Sequence, residues 1–194
     1  DSVGRGNILS GDRSIENNVN FVFTAQGVNS ETDLDEPGTR YNYCWPVFFF
    51  GITGFWISDV QISTTPLPGT VLMDNNTRSD DRLATSYLYK SASVTPGETY
   101  NITVDVNNGG TNHLRVWIDF DRDGQWENNA TERVVNNTFA GTQASYNFDV
   151  PTGLDPGLTQ MRIQYRGNRS SGLDPCNSNW VQISEVEDYT IVIE

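Results

Sequence analysis

The sequence predicts an all-β fold, an antiparallel β-sandwich of the jelly-roll or immunoglobulin-like type with an N-terminal β-arm. Helical periodicity is scarce, and short runs rich in Val, Ile, Tyr, Phe and Trp recur between clusters of Gly, Pro, Asn and Asp. Several runs alternate, so that Tyr100, Ile102 and Val104 share one face while polar residues take the other, as in a half-buried strand. Strong turn sequences, such as Pro96–Gly97, separate the runs. Strands of this kind build a sandwich.

The predicted strands, in order, cover residues 19–25, 55–62, 85–90, 99–106, 113–119, 144–150, 160–166 and 188–193. The first lies in an arm of residues 1–40, and the others form a domain of residues 41–194. Within the arm, Val19, Phe21, Phe23 and Ala25 share one apolar face that needs to be buried. The arm strand can pair with its own sheet, or it can add to a neighbouring copy, which would make these four residues assembly contacts.

A candidate calcium loop follows the strand that ends near Asp119. Asp residues at the first, third and fifth positions and Gly124 at the sixth match the first half of an EF-hand loop. Position twelve is Ala130, so further oxygens must come from Glu127, Glu132 or elsewhere. The candidate metal ligands are Asp119, Asp121, Asp123, Gln125, Glu132, Glu185 and Glu187. The alternative is a metal-free hairpin whose Asp side chains cap their own backbone.

The charge balance favours an extracellular setting and argues against nucleic-acid binding. The 194 residues carry a net charge of -13 with a pI near 4.3, and Lys90 is the only lysine. Such a surface repels nucleic acid and anionic lipid and offers carboxylates to divalent cations. The start at Asp1 is typical of a processed mature protein. The longest apolar run, 47–57, contains Gly and Thr and is shorter than the ~20 residues of a membrane span, so membrane insertion is not expected.

Cys44 and Cys176 form neither a CxxC pair nor a histidine-containing zinc motif, which favours a disulfide over two separate buried thiols. The bridge would close a loop of about 130 residues. In the chain-entropy model it would lower the conformational entropy of the unfolded state and so destabilise that state by roughly 4–5 kcal/mol. Glycosylation sequons occur at Asn75, Asn101, Asn129, Asn136 and Asn168, about the number that chance would produce.

An acidic run, Glu185 to Asp188, enters the last predicted strand. Alternation puts Glu185 and Glu187 on one face and Val186 toward the core. The two glutamates are therefore expected to complete the calcium shell or to bind strand arginines, with a solvated strand end as the alternative. The candidate arginines are Arg115, Arg162 and Arg166.

Several blocks of this chain resemble the GEVED domain family. They are the Tyr43–Cys44 pair, the segments 94–104, 116–124 and 161–163, Cys176 and the segment 185–193. The resemblance covers about residues 41–194 and implies a β-rich module of secreted, mostly bacterial surface proteins, with no catalytic activity assigned to the domain. The chain departs from the family in two places: Ser184 replaces the first glycine of the name-giving motif, and the segment between Gly124 and Glu132 is longer.

Enzyme activity is not expected. His113 is the only histidine, and it lies at the start of a predicted strand, where a structural role is more common than catalysis. The chain has no G-x-S-x-G elbow, HExxH pair, phosphate loop or dinucleotide fingerprint. Paired carboxylates are abundant, but they cluster in turns.

The expected function is an extracellular, calcium-stabilised structural or adhesive subunit. We expect it to self-assemble into a fibre or pilus-like filament, with copies of itself as partners, through N-terminal strand addition. The alternative is a carbohydrate-binding module that uses aromatic side chains as stacking platforms for glycans. The candidate aromatic residues are Trp45, Trp56, Trp117, Trp126, Trp180 and the run Phe48–Phe50.

Overall fold

The computed structural model describes residues 43–44, 54–77, 84–167, 174–176 and 185–194. The predicted arm with its strand at 19–25 lies outside the described residues, as do the run Phe48–Phe50 and the tryptophans Trp45 and Trp180. The described part consists of strands joined by turns and loops. It contains no helix of the length and apolarity that a bilayer crossing requires.

Nine strands occur in the described part of the chain. They are β1 (Ile57–Thr64), β2 (Val71–Asn75), β3 (Ala84–Val94), β4 (Thr99–Val106), β5 (Thr111–Ile118), β6 (Val135–Ala140), β7 (Gln143–Asp149), β8 (Gly157–Gly167) and β9 (Glu185–Ile193). One sheet has the order β2-β1-β4-β7, and the other has the order β3-β9-β8-β5-β6. Neighbouring strands are antiparallel except β3 and β9, which run parallel. The predicted β-sandwich is therefore confirmed, with one parallel pair in it.

The core lies between the two sheets and comes from alternate residues of their strands. Val60 and Ile62 of β1 and Ile102 and Val104 of β4 are fully buried on the four-stranded side. From the five-stranded sheet, the buried members of the same core are Leu114, Val116, Ile118, Met161, Ile163, Tyr165, Tyr189, Ile191 and Ile193. Because side chains of a strand alternate, the residues between these positions lie on the outer face of each sheet.

A second, smaller core covers part of the outer face of the five-stranded sheet. It contains Trp117 of β5 and Val186 of β9 together with Tyr43 and Trp126, and Cys44 and Cys176 pack against it. Trp117 is fully buried although its strand neighbours Val116 and Ile118 face the other way. The five-stranded sheet is therefore buried on both faces here. For this reason nearly every residue of β9 is buried, whichever face its side chain points to.

The sequence did not predict β2 and β6, both of which are edge strands. β2 has only five residues, and its first residue, Val71, is exposed. β6 carries Asn136, Asn137 and Thr138 at exposed positions, and Asn is uncommon in strands. The β6 strand exists because it pairs with β5 over its full length. Tertiary pairing therefore overrides local propensity in this segment.

Candidate metal site

The candidate metal site begins where β5 ends. Ile118 and Phe120 belong to the core between the sheets, so Asp119 between them turns to the outer face, where it is completely buried. Its backbone N–H donates to the carbonyl of Gln160 on β8, 3.2 Å away, which continues the β5–β8 ladder by one residue. The first residue of the loop is thus fixed by the sheet.

The loop is closed by hydrogen bonds from its own backbone to its aspartates. Asp119 Oδ1 accepts from the N–H of Arg122 at 2.7 Å, and Asp119 Oδ2 accepts from the N–H of Gly124 at 3.0 Å. Asp121 Oδ1 accepts from the N–H of Asp123 at 3.2 Å. Gly124 has a φ of 80°, a backbone conformation that glycine adopts without strain. The capping expected of a metal-free hairpin is present, and it leaves lone pairs on the carboxylates, since each oxygen can accept more than one bond.

Three carboxylates converge at this loop. Asp119, Asp121 and Glu132 each offer one oxygen, and these oxygens all lie within 4.8 Å of one another. Asp119 and Glu132 are buried, whereas Asp121 is exposed and faces solvent. The sequence placed all three among the candidate ligands, and the fold brings them together.

Glu132 reaches the loop through a turn of its own. Asn129 Oδ1 accepts from the N–H groups of Thr131 and Glu132, both at 2.9 Å, and the N–H of Ile118 donates to the Glu132 carbonyl at 2.9 Å. This turn returns the chain to β5 two residues after Ala130, the position that carries the ligand in an EF-hand. The Glu132 side chain is 2% exposed; its Oε2 accepts from the N–H of Glu127 at 3.0 Å, and its Oε1 has no hydrogen-bond partner.

Burial raises the pKa of two of these three carboxyl groups. Burial, followed by the charges of Asp119 and Asp121, raises the pKa of Glu132 to about 7. Burial likewise raises the pKa of Asp119 to about 6, against the lowering effect of its hydrogen bond from Tyr43. Carboxylates that repel each other in a buried place are stabilised by a cation, which favours their ionised form.

Aromatic side chains and the disulfide brace the loop from the outside. The Tyr43 hydroxyl donates to Asp119 Oδ2 at 2.6 Å, and the Tyr43 ring packs on Trp126 with 4.6 Å between centroids. The next residue, Cys44, is bonded to Cys176 with an S–S distance of 2.02 Å, which confirms the predicted disulfide. The contact between Tyr43 and Asp119 could not be predicted from local sequence patterns, because the two residues are far apart along the chain.

Two other candidate ligands in the loop are engaged with each other. Asp123 Oδ1 accepts from the backbone N–H of Gln125, and Asp123 Oδ2 accepts from its side-chain amide, both at 2.8 Å. Both residues are exposed. Neither belongs to the converging group of Asp119, Asp121 and Glu132.

Glu185 and Glu187 lie on the opposite face of the five-stranded sheet from Asp119. They share the face of Tyr189 and Ile191, which belong to the core between the sheets, whereas Val186 packs in the outer cluster. The expectation that the glutamates would meet the calcium loop is therefore wrong, whereas Val186 points to a core as expected. The Val186 side chain is buried against Trp117 and Trp126.

The two glutamates accept hydrogen bonds from a backbone N–H and from a tyrosine hydroxyl. Glu185 Oε2 accepts from the backbone N–H of Ile57, the first residue of β1. Glu187 Oε2 accepts from the Tyr189 hydroxyl at 2.7 Å, and that hydroxyl accepts from the Asn75 amide of β2 at 2.8 Å. Both contacts link the five-stranded sheet to the other sheet.

Arg162 pairs with Asp188 instead. Its Nη2 lies 2.6 Å from Asp188 Oδ2, its Nε donates to Asp188 Oδ1 at 2.7 Å, and both side chains are buried. The other terminal nitrogen, Nη1, donates to the carbonyls of Cys44 and Pro175 at 2.7 and 2.8 Å. The guanidinium also lies 5.1 Å from the centroid of the Trp126 ring. Arg162 therefore joins β9, both arms of the disulfide and the end of the acidic loop.

The fold divides the glycosylation sequons into two groups. Asn75 is 1% exposed and bound to Tyr189, and Asn101 is 3% exposed and bound to Asn147, so neither amide is accessible in the folded domain. Asn129 and Asn136 are exposed. Asn168 lies outside the described residues.

The described tryptophans do not form a platform for sugars. Trp117 is fully buried, Trp126 is 6% exposed, and Trp56 is half-buried. Within the described residues, the large apolar side chains that are exposed are Leu67, Val71 and Tyr89. The fold thus uses Trp117 and Trp126 for packing beside the acidic loop.

Comparison with known proteins supports the resemblance seen in the sequence. No curated protein matches this chain. A solved structure, a family 123 glycoside hydrolase from Clostridium perfringens described in a study of glycolipid glycan hydrolysis, is similar at 10% identity with a TM-score of 0.32. The match covers 57% of this chain and 23% of that one, so the chain spans less than a quarter of its length. Residues 113–192, from β5 to β9, match the family model of the GEVED domain. Residues 113–192 therefore resemble the GEVED domain, and the acidic loop after β5 lies within the matched segment.

Proposed function

We propose that the loop after β5 binds one Ca²⁺ ion and that the ion stabilises the sandwich. The observation that carries this proposal is the convergence of one oxygen each from Asp119, Asp121 and Glu132 within 4.8 Å. Glu132 Oε1 is buried without a partner, and a buried carboxylate oxygen needs a hydrogen-bond donor or a cation. Calcium prefers carboxylate and carbonyl oxygens and tolerates irregular geometry, with water completing its six to eight ligands.

The ion would fasten the long β5–β6 connection to the sheet. Asp119 is fixed at the end of β5, Asp121 is in the loop, and Glu132 is at the end of the connection. A cation bridging them stabilises the folded state because the unfolded chain does not hold the three oxygens together.

The first test is a thermal melt in calcium and in excess EDTA. We expect wild type to melt at a higher temperature in 1 mM calcium, by about 4–8 °C if the ion contributes roughly 2 kcal/mol in a protein of this size. Asp121→Asn removes one ligand charge at an exposed position, so it is expected to lose most of this difference while folding normally.

Asp149→Asn serves as the matched control, because Asp149 is an exposed aspartate on the other sheet. Its melting temperature should respond to calcium like that of wild type. Equal melting temperatures of wild type in calcium and in EDTA would contradict a stabilising calcium site.

We further propose that the protein is an extracellular structural or adhesive subunit that assembles through its N-terminal arm. The strand predicted at residues 19–25 of one copy would add to a sheet edge of the next. Its face of Val19, Phe21, Phe23 and Ala25 would be buried there. A contact of this kind is head-to-tail, so it polymerises unless it closes into a ring. The disulfide supports an oxidising, extracellular setting.

The side of the sandwich formed by β2 and β3 is the best acceptor in the described part of the chain. Both are edge strands of their sheets, and they contact each other. Leu67, Val71 and Tyr89, the exposed large apolar residues, lie in or next to these strands. An apolar strand added here gains backbone hydrogen bonds and covers apolar surface.

Electron microscopy tests the assembly. We expect filaments from the full chain and globular particles from a variant lacking residues 1–30. Tyr89→Lys on β3 is expected to reduce filament number because an edge lysine opposes strand addition. Asn137→Lys on β6, the far edge of the same sheet, is the matched control and should leave filaments unchanged. Globular particles from the full chain would remove the assembly proposal.

A further inference from the structure

Gln160 on β8 is a buried amide without a partner. Its side chain is completely buried, and neither its Oε1 nor its Nε2 makes a hydrogen bond. An unsatisfied buried polar group destabilises the folded state, so a buried amide with no partner indicates a ligand that the protein chain does not supply. The oxygen and nitrogen of a glutamine amide can exchange places by a flip, so either position can present the carbonyl.

The strand register places this amide beside the acidic loop. Met161 and Ile163 of β8 face the core between the sheets, so Gln160 is on the outer face with Arg162. The Asp119 N–H donates to the Gln160 carbonyl, and the next pair in the ladder is Ile118 with Met161. Asp119 and Gln160 are therefore cross-strand neighbours on one face, where the Cβ atoms of such pairs lie about 4.5–5.5 Å apart.

The protein groups next to Gln160 are already satisfied by others. Arg162, two residues along β8 on the same face, gives its donors to Asp188, Cys44 and Pro175. Thr190, the partner of Gln160 on β9, donates its hydroxyl to the carbonyl of Leu88. The cross-strand neighbour of Gln160 on β5 is Asp119, whose carboxylate belongs to the cluster with Asp121 and Glu132.

We infer that the side-chain carbonyl of Gln160 is a ligand of the proposed calcium ion. This inference rests on the proposed function of the loop. Amide carbonyls are ordinary calcium ligands, and a neutral one adds an oxygen without adding to the repulsion among Asp119, Asp121 and Glu132. One bound cation would satisfy both Glu132 Oε1 and the carbonyl oxygen of the Gln160 amide. Binding through Gln160 would also tie the loop to β8 in the middle of the sheet.

Isothermal titration with calcium and melting in EDTA test the role of Gln160 together. Gln160→Met keeps the length of the side chain and removes the amide. We expect calcium to bind this variant about tenfold more weakly than wild type, since ligand number tunes calcium affinity. In EDTA its melting temperature should be equal to or higher than that of wild type, because the unsatisfied amide is gone.

Gln164→Met is the matched control, because Gln164 lies on the same strand and face and is also completely buried. Its amide nitrogen donates to the Asp174 carbonyl at 2.8 Å, so the variant should melt lower in EDTA and bind calcium within twofold of wild type. If Gln160→Met does not fold, Gln160→Glu replaces it in the titration and is expected to bind calcium more tightly than wild type.

The outcomes separate the two proposals. Calcium binding by wild type with an unchanged affinity in Gln160→Met, or in Gln160→Glu if that variant is the one used, would overturn the role of Gln160 and leave the loop site standing. No calcium binding by wild type would overturn the loop site itself, and the role of Gln160 with it. Weaker binding in Gln160→Met with no loss of stability in EDTA supports both.

Discussion

The acidic residues Glu185, Glu187 and Asp188 of β9 have different partners, because successive residues of a strand point to opposite faces of the sheet. Glu185 and Glu187 face the space between the sheets, where they bind Ile57 and Tyr189. Asp188 faces the outer side and pairs with Arg162. The acidic motif therefore joins the two sheets on one face and the disulfide region on the other. Burial, followed by the charge of Glu185, raises the pKa of Glu187 well above its ordinary value.

This shift predicts that Glu187→Gln stabilises the protein at high pH. The folded state holds the proton of Glu187 more tightly than the unfolded state does. The resulting stability is present below the ordinary pKa of 4.5 and is lost as pH rises through the folded-state pKa. Glutamine is neutral at every pH. In EDTA, denaturant unfolding should show the variant more stable than wild type at pH 8, with the difference shrinking toward pH 4.

Glu98→Gln is the control for this comparison, because Glu98 is exposed in the turn between β3 and β4. Its free energy of unfolding should differ from that of wild type by less than about 0.5 kcal/mol at both pH values. A Glu187→Gln variant that is less stable than wild type at pH 8 would show that the ionised carboxylate is favourable in its buried position.

β8 connects the elements around the acidic loop through a single side chain. Arg162 binds Asp188 of the neighbouring strand and the backbone next to both cysteines, and its guanidinium lies over Trp126. A buried ion pair of this kind adds little compared with apolar packing, but the loss of one partner leaves a buried charge uncompensated. The strands and the disulfide segments therefore depend on the same contact.

We predict that Arg162→Leu lowers the free energy of unfolding by about 3–5 kcal/mol, because it leaves Asp188 buried without its counter-charge. Denaturant unfolding with the disulfide intact measures this. Arg133→Leu is the control, since Arg133 is half-buried and its guanidinium makes a long 3.4 Å contact with the exposed Asn128; a change below about 0.5 kcal/mol is expected. A loss of less than about 1 kcal/mol in Arg162→Leu would contradict the bridging role.

The sequence predicted the strands whose apolar residues alternate, and it missed those that exist through pairing alone. β4 begins and ends at the predicted residues, because Tyr100, Ile102 and Val104 mark its inner face. β6, rich in Asn, carries no such pattern. In the site, the spacing of Asp119 and Asp121 is local and was visible, whereas the positions of Tyr43 and Gln160 depend on tertiary contacts and strand register. The side of the sheet on which Glu187 lies was predicted wrongly. Because β9 is buried on both faces, the alternation of its residues does not show which face packs against the other sheet.

For the molecule as a whole, the charge is distributed unevenly between the two sheets. Strands β1, β2, β4 and β7 carry no Lys, Arg or His, and their outer face carries Asp59, Asp74, Asp105 and Asp149. Burial, and after it the charge of Asp74, raises the pKa of Asp59 to about 6. With a net charge of -13, copies of the chain repel each other, so bound divalent cations would weaken the repulsion that opposes the proposed assembly. Calcium thus has a place in both parts of the proposed function.

The most direct test of the calcium proposal is a crystal structure of the full chain soaked with terbium, a calcium substitute whose anomalous scattering locates it. We predict one strong anomalous peak about 2.3–2.6 Å from oxygens of Asp119, Asp121 and Glu132. An ordered loop with no peak at that position, under terbium concentrations that occupy other surface carboxylates, would contradict it.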